Sequence, residues 1–308
     1  MQYRLSMAQP LQKAIPEIAA DQLDAAIARL DAADGDPSAV HAARKHFKRT
    51  RALLSLVEPV AHGTAARTGR KRLARAARKL AASRDAQVAL DTALALEKEY
   101  GASPSAQAFS DLISFLRARR DRAEERLDAG NRKAVTGEIK KIRTALLKLG
   151  LRDAAMSDLL ASASKTYRAG RRAMKAALKA GGGEALHEWR KLAQRHWRHT
   201  LLLTDVWPVE AKARAALARR LCDLLGEYND LTVMHETIQA NKEVFHSASD
   251  MKALYQCIEA KQKRLLKKAA LRGSRLYAEK PKAFARRLTA HWRKAGRKQA
   301  AEGLNGQG

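Results

Sequence analysis

Apolar residues along this chain recur at helical spacing and strictly alternating runs are missing, so the pattern predicts helix nearly throughout. A first helix is expected from Pro16 to about Asp34, stopping at Gly35, and Asp36-Pro37 starts the next, which Pro59 ends. His62-Gly63-Thr64 separates it from RTGRKRLARAARKLAA, where Leu73, Ala76, Ala77 and Leu80 make the apolar stripe. Ser83-Arg84-Asp85 reads as the cap of a helix to about Tyr100. The break at Gly101 to Pro104 opens another, to about Ala129, ended by Gly130-Asn131; one more runs to Leu149-Gly150, and a long one from about Asp153 to Ala180. Gly181-Gly182-Gly183 is the clearest linker. Beyond it lie a second basic helix, a helix started by Trp207-Pro208, a cap at Asn229-Asp230, helices from about Ser249 to Arg272 and from Pro281 to Gly296, and a frayed tail.

Two of these helices are unusual. In VHAARKHFKRTRALL, from Val40 to Leu54, one arc carries His41, Arg44, Lys45, Lys48, Arg49 and Arg51, while Val40, Ala43, Phe47, Leu54 and Val57 gather opposite. No acid occurs until Glu58. The device returns in LHEWRKLAQRHWRHTLL, from Leu186 to Leu202, with His187, Arg190, Lys191, Arg195 and Arg198 on the polar arc. His41 pairs with His187, Arg44 with Arg190, Lys45 with Lys191 and Arg49 with Arg195, at an offset of 146 residues. Gln194 replaces Lys48 and Trp197 replaces Arg51. Aligned through Leu80 and Leu225, RKRLARAARKLAASRDAQV matches LARRLCDLLGEYNDLTV at an offset of 145, pairing Asp85 with Asp230. Near-equal offsets imply two related halves: an all-α chain of two helical bundles about a pseudo-twofold axis. Residues 1–15 are expected as a flexible N-terminus, 16–297 as one helical domain with halves of about 16–150 and 151–297, and 298–308 as a flexible tail.

Charge narrows the function. Lys and Arg number 60 against 32 acids, a formal net charge of +28 in 308 residues. From His41 to Arg84 there are 13 basic residues and one acid, and from Lys261 to Lys298 15 and one. Such concentration points to a polyanionic partner: nucleic acid, anionic membrane or polyphosphate. Two cysteines, Cys222 and Cys257, fit a reducing compartment, and no Cys/His spacing suggests zinc. No apolar leader and no run of 18 apolar residues occurs, so a soluble cytoplasmic protein is expected.

The pattern resembles the CHAD (conserved histidine α-helical domain) family. His41-x-x-Arg44-Lys45-x-x-Lys48-Arg49 and His187-x-x-Arg190-Lys191-x-x-x-Arg195 carry the match, with Leu225-Gly226-Glu227-Tyr228-Asn229-Asp230 as the second-half signature and Leu80 to Asp85 as its counterpart. The similarity covers roughly Pro16 to Arg297. It implies an all-helical, two-fold pseudosymmetric fold and binding of inorganic polyphosphate, with association with polyphosphate granules as one consequence. Some family members carry a fused triphosphate tunnel metalloenzyme domain; its ExExK strand has no counterpart here, Glu97-Lys98-Glu99 being the nearest string.

Polyphosphate offers charge without bases, so many cations on a rigid surface should recognise it. Arg can donate two hydrogen bonds to phosphate oxygens and Lys acts as a point charge. His41 and His187, first on their faces, are expected to donate to phosphate, more strongly when protonated; packing or capping histidines are the alternative. Arg72, Arg75, Arg78, Lys79, Arg219 and Arg220 are candidates for extending the surface, a merely solvated face being the alternative. Asp85 and Asp230 read as caps or Arg partners, and nothing in the sequence brings them together. Trp189 belongs to the core; Trp197 does too, or stacks on a guanidinium. His196 and His199 share a face at i, i+3, but no Cys or paired acid joins them, so no metal and no cofactor are expected.

Two rival readings remain. Nucleic-acid binding explains the charge and predicts non-specific binding at low salt, but not the duplicated His pattern; aromatics are 5% and no zinc-finger, zipper or helix-turn-helix signature is present. A metal-dependent polyphosphate hydrolase needs clustered carboxylates, and Glu188 stands nearly alone on the basic faces. No catalysis and no membrane association are expected, because the basic helices turn their apolar faces to the core.

Overall fold

Helix boundaries in the computed structural model follow burial more closely than local propensity. The structure describes residues 3–32, 37–101, 106–125 and 129–305. Among them are eleven α-helices and no strand, and no helix is long and apolar enough to cross a membrane. The first, α1 (Leu11–Asp31), starts before the expected Pro16 and holds that proline inside it. Burial of Leu11, Ala14 and Ile15 offsets the backbone hydrogen bond that Pro16 lacks. Nor is the preceding segment a free arm. Leu5 is buried and its N–H donates to the Leu202 carbonyl at 2.8 Å, while the Tyr3 hydroxyl donates to the Arg49 carbonyl at 2.8 Å.

There follow α2 (Pro37–Val57), α3 (Ala65–Lys79), α4 (Ala81–Tyr100), α5 (Ala106–Glu125), α6 (Ala129–Leu147) and α7 (Met156–Ala180). The expected stop at Gly35 and the expected helix starts at Asp36 and Pro104 lie outside the described residues. Gly130 and Asn131 open α6 rather than ending α5, at positions where helical N–H groups need no intrahelical partner. Gly181 takes a left-handed conformation (φ 62°) that closes α7, its N–H donating to the Ala177 carbonyl at 3.0 Å. The glycine run is therefore a tight turn into α8 (Gly183–Leu202) rather than a loose linker.

α9 (Pro208–Ala240) runs unbroken through Asn229-Asp230, where a cap was expected. The Asn229 side chain is engaged by His187 of the neighbouring helix, so it does not compete for its own backbone. α10 (Ala248–Leu276) is capped by Ser247, whose hydroxyl accepts from the Asp250 N–H at 3.1 Å. α11 (Pro281–Asn305) continues past Gly296, where a tail was expected to fray; residues 306–308 lie outside the description.

Two apolar clusters form the core, and they do not coincide with the two sequence halves. The larger joins α1, α2, α3 and α6 to α7, α8, α11 and the first part of α9, around Phe47, Tyr167, Trp189 and Phe284. The smaller takes α4 and α5 from the first half and α9 and α10 from the second, around Leu96, Phe109, Leu231 and Ile258. Lys261, 5% exposed, ties α10 to both neighbours through Glu99 (3.2 Å) and Glu227 (3.0 Å). Both cysteines are buried free thiols. Trp189 is fully buried, as expected for core.

Candidate functional site

The apolar sides of α2 and α8 sink into the larger core, and this leaves their cationic sides nowhere to turn but outward. α2 and α8 pack on each other. Their near ends are joined by His199, whose Nε2 lies 3.0 Å from the Ala52 carbonyl and 3.0 Å from Ser55 Oγ. Between them opens a groove of about 640 Å³, closed at the sides by Arg70 of α3, the start of α4 and the middle of α9.

From α2 the groove takes His41, Arg44, Lys48 and Arg51, and from α8 His187, Arg190, Lys191, Arg195 and Arg198. Nine Lys and Arg side chains in all line it, against the two carboxylates Asp85 and Asp230. The expected arc on α2 is only partly used. Lys45 is exposed outside the groove. Arg49 is drawn away by Tyr3, its guanidinium lying 5.6 Å from the ring centroid and 3.5 Å from Gln22 Oε1. None of the further candidates joins the lining. Arg72 is held by Glu138 at 2.6 and 3.0 Å, and Arg75, Arg78, Lys79 and Arg219 are exposed elsewhere. Arg220 borders a separate, mixed-charge hollow of about 280 Å³ with Asp223, Glu227, Lys268 and Arg272.

Crowding and partial burial shape the electrostatics. Burial, reinforced by Arg84, Lys45, Lys48 and Arg44, lowers the His41 pKa to about 4, so its ring is neutral near pH 7. Burial lowers Lys48 to about 8, with Arg198, Arg44, Arg190 and Arg51 adding repulsion from both helices. Arg51, Arg195 and Arg198 are also depressed, by burial first and then mostly by neighbouring cations, while remaining charged. Arg44 donates to the Leu80 carbonyl at 3.3 Å and reaches Asp85 at 3.4 Å. Arg190 Nε is buried with no hydrogen-bond partner, packed against Gly226 of α9.

The two histidines of the repeated pattern, His41 and His187, stand at the groove, not in the core. His187 lies 3.0 Å through Nδ1 from Asn229 Oδ1. With Nδ1–H donating there, the neutral ring has only a lone pair at Nε2, and a phosphate contact through Nε2 requires the protonated form. The buried histidines are instead His196, boxed by Tyr167, Tyr277 and Phe284, and His199. Trp197 packs against the core and also stacks with Arg198, the guanidinium 5.1 Å from its centroid.

Sequence reasoning missed Arg70, Arg84 and the meeting of Asp85 with Asp230. Both acids line the groove, and burial raises the Asp230 pKa, with Asp85 adding to the rise while Arg190 opposes it. The 145-residue offset held the signal. It pairs Arg84 with Asn229, Asp85 with Asp230 and Val88 with Val233, and all six line the groove.

A family model for the CHAD domain matches residues 17–239. Among solved structures, the chain resembles the crystal structure of the CHAD domain from the plant Ricinus communis, at 18% identity and TM-score 0.60 over 92% of this chain and 94% of that one. It also resembles PptA from Streptomyces chartreusis, at 16% identity and TM-score 0.65 over 88% of this chain and 100% of that one. At these identities the likeness speaks for the fold alone. Comparison with curated proteins finds no match.

Proposed function

The chain belongs to the CHAD-domain family, and from that premise we propose that it binds inorganic polyphosphate in the groove between α2 and α8, without catalysis. The observation that carries this reading is the convergence of two cationic helix faces on one groove, where nine cations meet two acids. Burial first, and then repulsion among these cations, depresses Lys48 and His41. A thin chain of phosphates supplies the countercharge and accepts from the guanidinium and ammonium groups that line the groove. Bases, by contrast, would find no Phe, Tyr or Trp platform here, since none lines the groove.

Ligand that binds only the folded state stabilises it by mass action, by about 2.7 kcal/mol at a hundred times Kd. The test is a titration with polyphosphate of defined length, on the wild type and on a protein with Arg44, Lys48, Arg190 and Arg195 changed to Ala. At least a tenfold loss is expected, about 1.4 kcal/mol, with helicity unchanged. Undiminished affinity in a folded variant would end the proposal. The non-catalytic part has its own check, because Asp85 and Asp230 are the groove's carboxylates. Orthophosphate release with Mg²⁺ or Mn²⁺, lost on Asp230→Asn or Glu188→Gln, would overturn it. On this reading the protein gathers on polyphosphate granules in the cytoplasm; a fluorescent fusion that stays diffuse in granule-forming cells would count against that step.

A further inference from the structure

Arg49 and Arg195 are equivalent in the repeat, yet the fold treats them differently, and the difference lies in the N-terminal segment. Arg195 lines the groove. Arg49 follows the groove-lining Lys48 directly but is turned aside. Its guanidinium lies 5.6 Å from the Tyr3 ring centroid and 3.5 Å from Gln22 Oε1, and no carboxylate holds it among the described residues. One ring face and one long hydrogen bond are weak restraints on a side chain that phosphate can engage through two donors.

The segment that carries Tyr3 is anchored independently of it. Leu5 is buried and its N–H donates to the Leu202 carbonyl at the end of α8, and Arg4 pairs with Asp205 at 3.2 Å. Tyr3 itself donates its hydroxyl to the Arg49 carbonyl of α2 at 2.8 Å. Residues 3–5 therefore form a strap from α2 to the end of α8. The strap runs at the groove's edge. Burial raises the Tyr3 pKa well above the ordinary tyrosine value, and Arg198, a groove residue, opposes the rise together with Arg49. Arg198 in turn feels Arg49 as a repelling charge. Arg49 thus stands within electrostatic range of the groove without joining its lining.

We propose that Tyr3 is a positioning residue that withholds Arg49 from the polyphosphate groove, and so sets the number of cations the groove presents. The inference rests on the reading that polyphosphate binds there. With no polyanion present, Arg49 turned toward Arg198 would add one more like charge to a crowded site. The Tyr3 ring draws that charge aside. Gln194, at the position equivalent to Lys48, keeps charge down in the same way. Removing the ring frees Arg49 to share a phosphate with Arg198, a contact that the intact strap denies it.

The experiment is a titration with polyphosphate of defined length at several salt concentrations. It compares the wild type with Tyr3→Leu, Tyr3→Phe, Arg49→Ala, Arg195→Ala, and Tyr3→Leu combined with Arg49→Ala. Leu keeps apolar bulk in the strap but removes ring and hydroxyl, whereas Phe keeps the ring face on Arg49. Tyr3→Leu should tighten binding about three- to fivefold, the scale of one partly exposed ion pair. It should also steepen the slope of log K against log salt by about 0.7–0.9, the equivalent of one added phosphate contact. Tyr3→Phe should bind like the wild type. Arg49→Ala alone should change affinity less than about twofold, as for a screened cation out of contact, and in the Tyr3→Leu background it should cancel both gains. A merely structural role for Tyr3 lowers the melting temperature and leaves affinity and slope unchanged or reduced, which would overturn the proposal. Should Tyr3→Leu fail to fold, Arg49→Ala decides: a loss equal to that of Arg195→Ala overturns the proposal, and an unchanged affinity supports it. A wild type that binds no polyphosphate defeats the reading of the groove itself. Binding that Arg195→Ala weakens and Tyr3→Leu leaves alone defeats only the role given to Tyr3.

Discussion

Lys48 makes the proton the most informative probe of the groove. In the free protein, burial and four surrounding guanidinium groups lower its pKa from the ordinary 10.5 to about 8. A bound phosphate chain replaces repulsion by attraction and should return the value toward 10.5. The bound state then holds a proton that the free state has lost between about pH 8 and 10.5, so binding weakens as pH rises through that window. Full restoration makes polyphosphate binding roughly 70-fold weaker at about pH 10 than at about pH 7, ~2.5 kcal/mol. Solvent reaches part of the side chain and screens the field, so the expected loss is tenfold or more rather than the full figure. Calorimetric titrations in two buffers of different ionisation enthalpy count the protons directly, and uptake should approach one per complex near pH 9. Lys48→Arg keeps the charge throughout this range and should flatten the profile, since only general lysine titration then remains. Absence of proton uptake by the wild type, or an equal alkaline loss in Lys48→Arg, would refute the reasoning.

Acid should act on the free protein in the opposite sense. His199 is lowered to about 3 and His41 to about 4, both by burial first, and His196 lies well below 6.5 for the same reason. The unfolded chain takes up protons below about pH 6.5 that the native state refuses, so stability falls as pH drops through that value. For His199 alone the loss at about pH 5 is about 2 kcal/mol, and urea midpoints at the two pH values should show it. Polyphosphate should relieve the His41 share, so its affinity should rise as pH falls from 8 toward 6; an affinity flat over that range removes the protonated-histidine role. Gln194→Lys places another cation opposite Lys48 and should destabilise the free protein by about 1–2 kcal/mol while tightening polyphosphate roughly fivefold, read by thermal melts and titration. Gly273→Ala sets a methyl 2.5 Å from Trp189 Cζ2 behind the groove helix, and should lower stability by about 1–3 kcal/mol with affinity nearly unchanged.

What the sequence made legible was set by periodicity and pairing. The apolar stripes of α2, α3 and α8 are strong, and their cationic arcs follow from them. The four-residue correspondence from His41–Arg49 to His187–Arg195 was enough to find the groove's two walls. Positions decided by tertiary burial were not legible. Pro16 sits inside α1 because Ile15 and its neighbours are buried, and Asn229 stays helical because His187 engages it across an interface. Arg49 and Arg195 are equivalent in the pattern, yet Arg49 leaves the groove for Tyr3, a residue in the segment expected to be a flexible arm. The mixing of α4 and α5 with α9 and α10 in one core was equally hidden, because apolar stripes do not name their partners.

The departures from the repeat follow a physical logic at the middle of the groove. Lys48 and Gln194 occupy equivalent positions and both line it. Lys48 already feels two guanidinium groups from its own helix, Arg44 and Arg51, and two from the other, Arg190 and Arg198. A second lysine at 194 would raise this repulsion while the site is empty, whereas an amide keeps a donor for phosphate and adds no charge. Trp197 in place of Arg51 does the same one turn further on, anchoring α8 in the core and holding Arg198 by its ring. The acids work at the rim: Asp85 reaches Arg44, and Arg190 draws down the Asp230 pKa that burial raises. The two copies supply two cationic helices, and the second carries less charge at the positions where the two sets crowd most. A symmetric groove carrying both lysines would bind a polyanion more tightly but stand less firmly without one. The observed arrangement is what a groove requires if the chain is to remain folded with no polyanion bound.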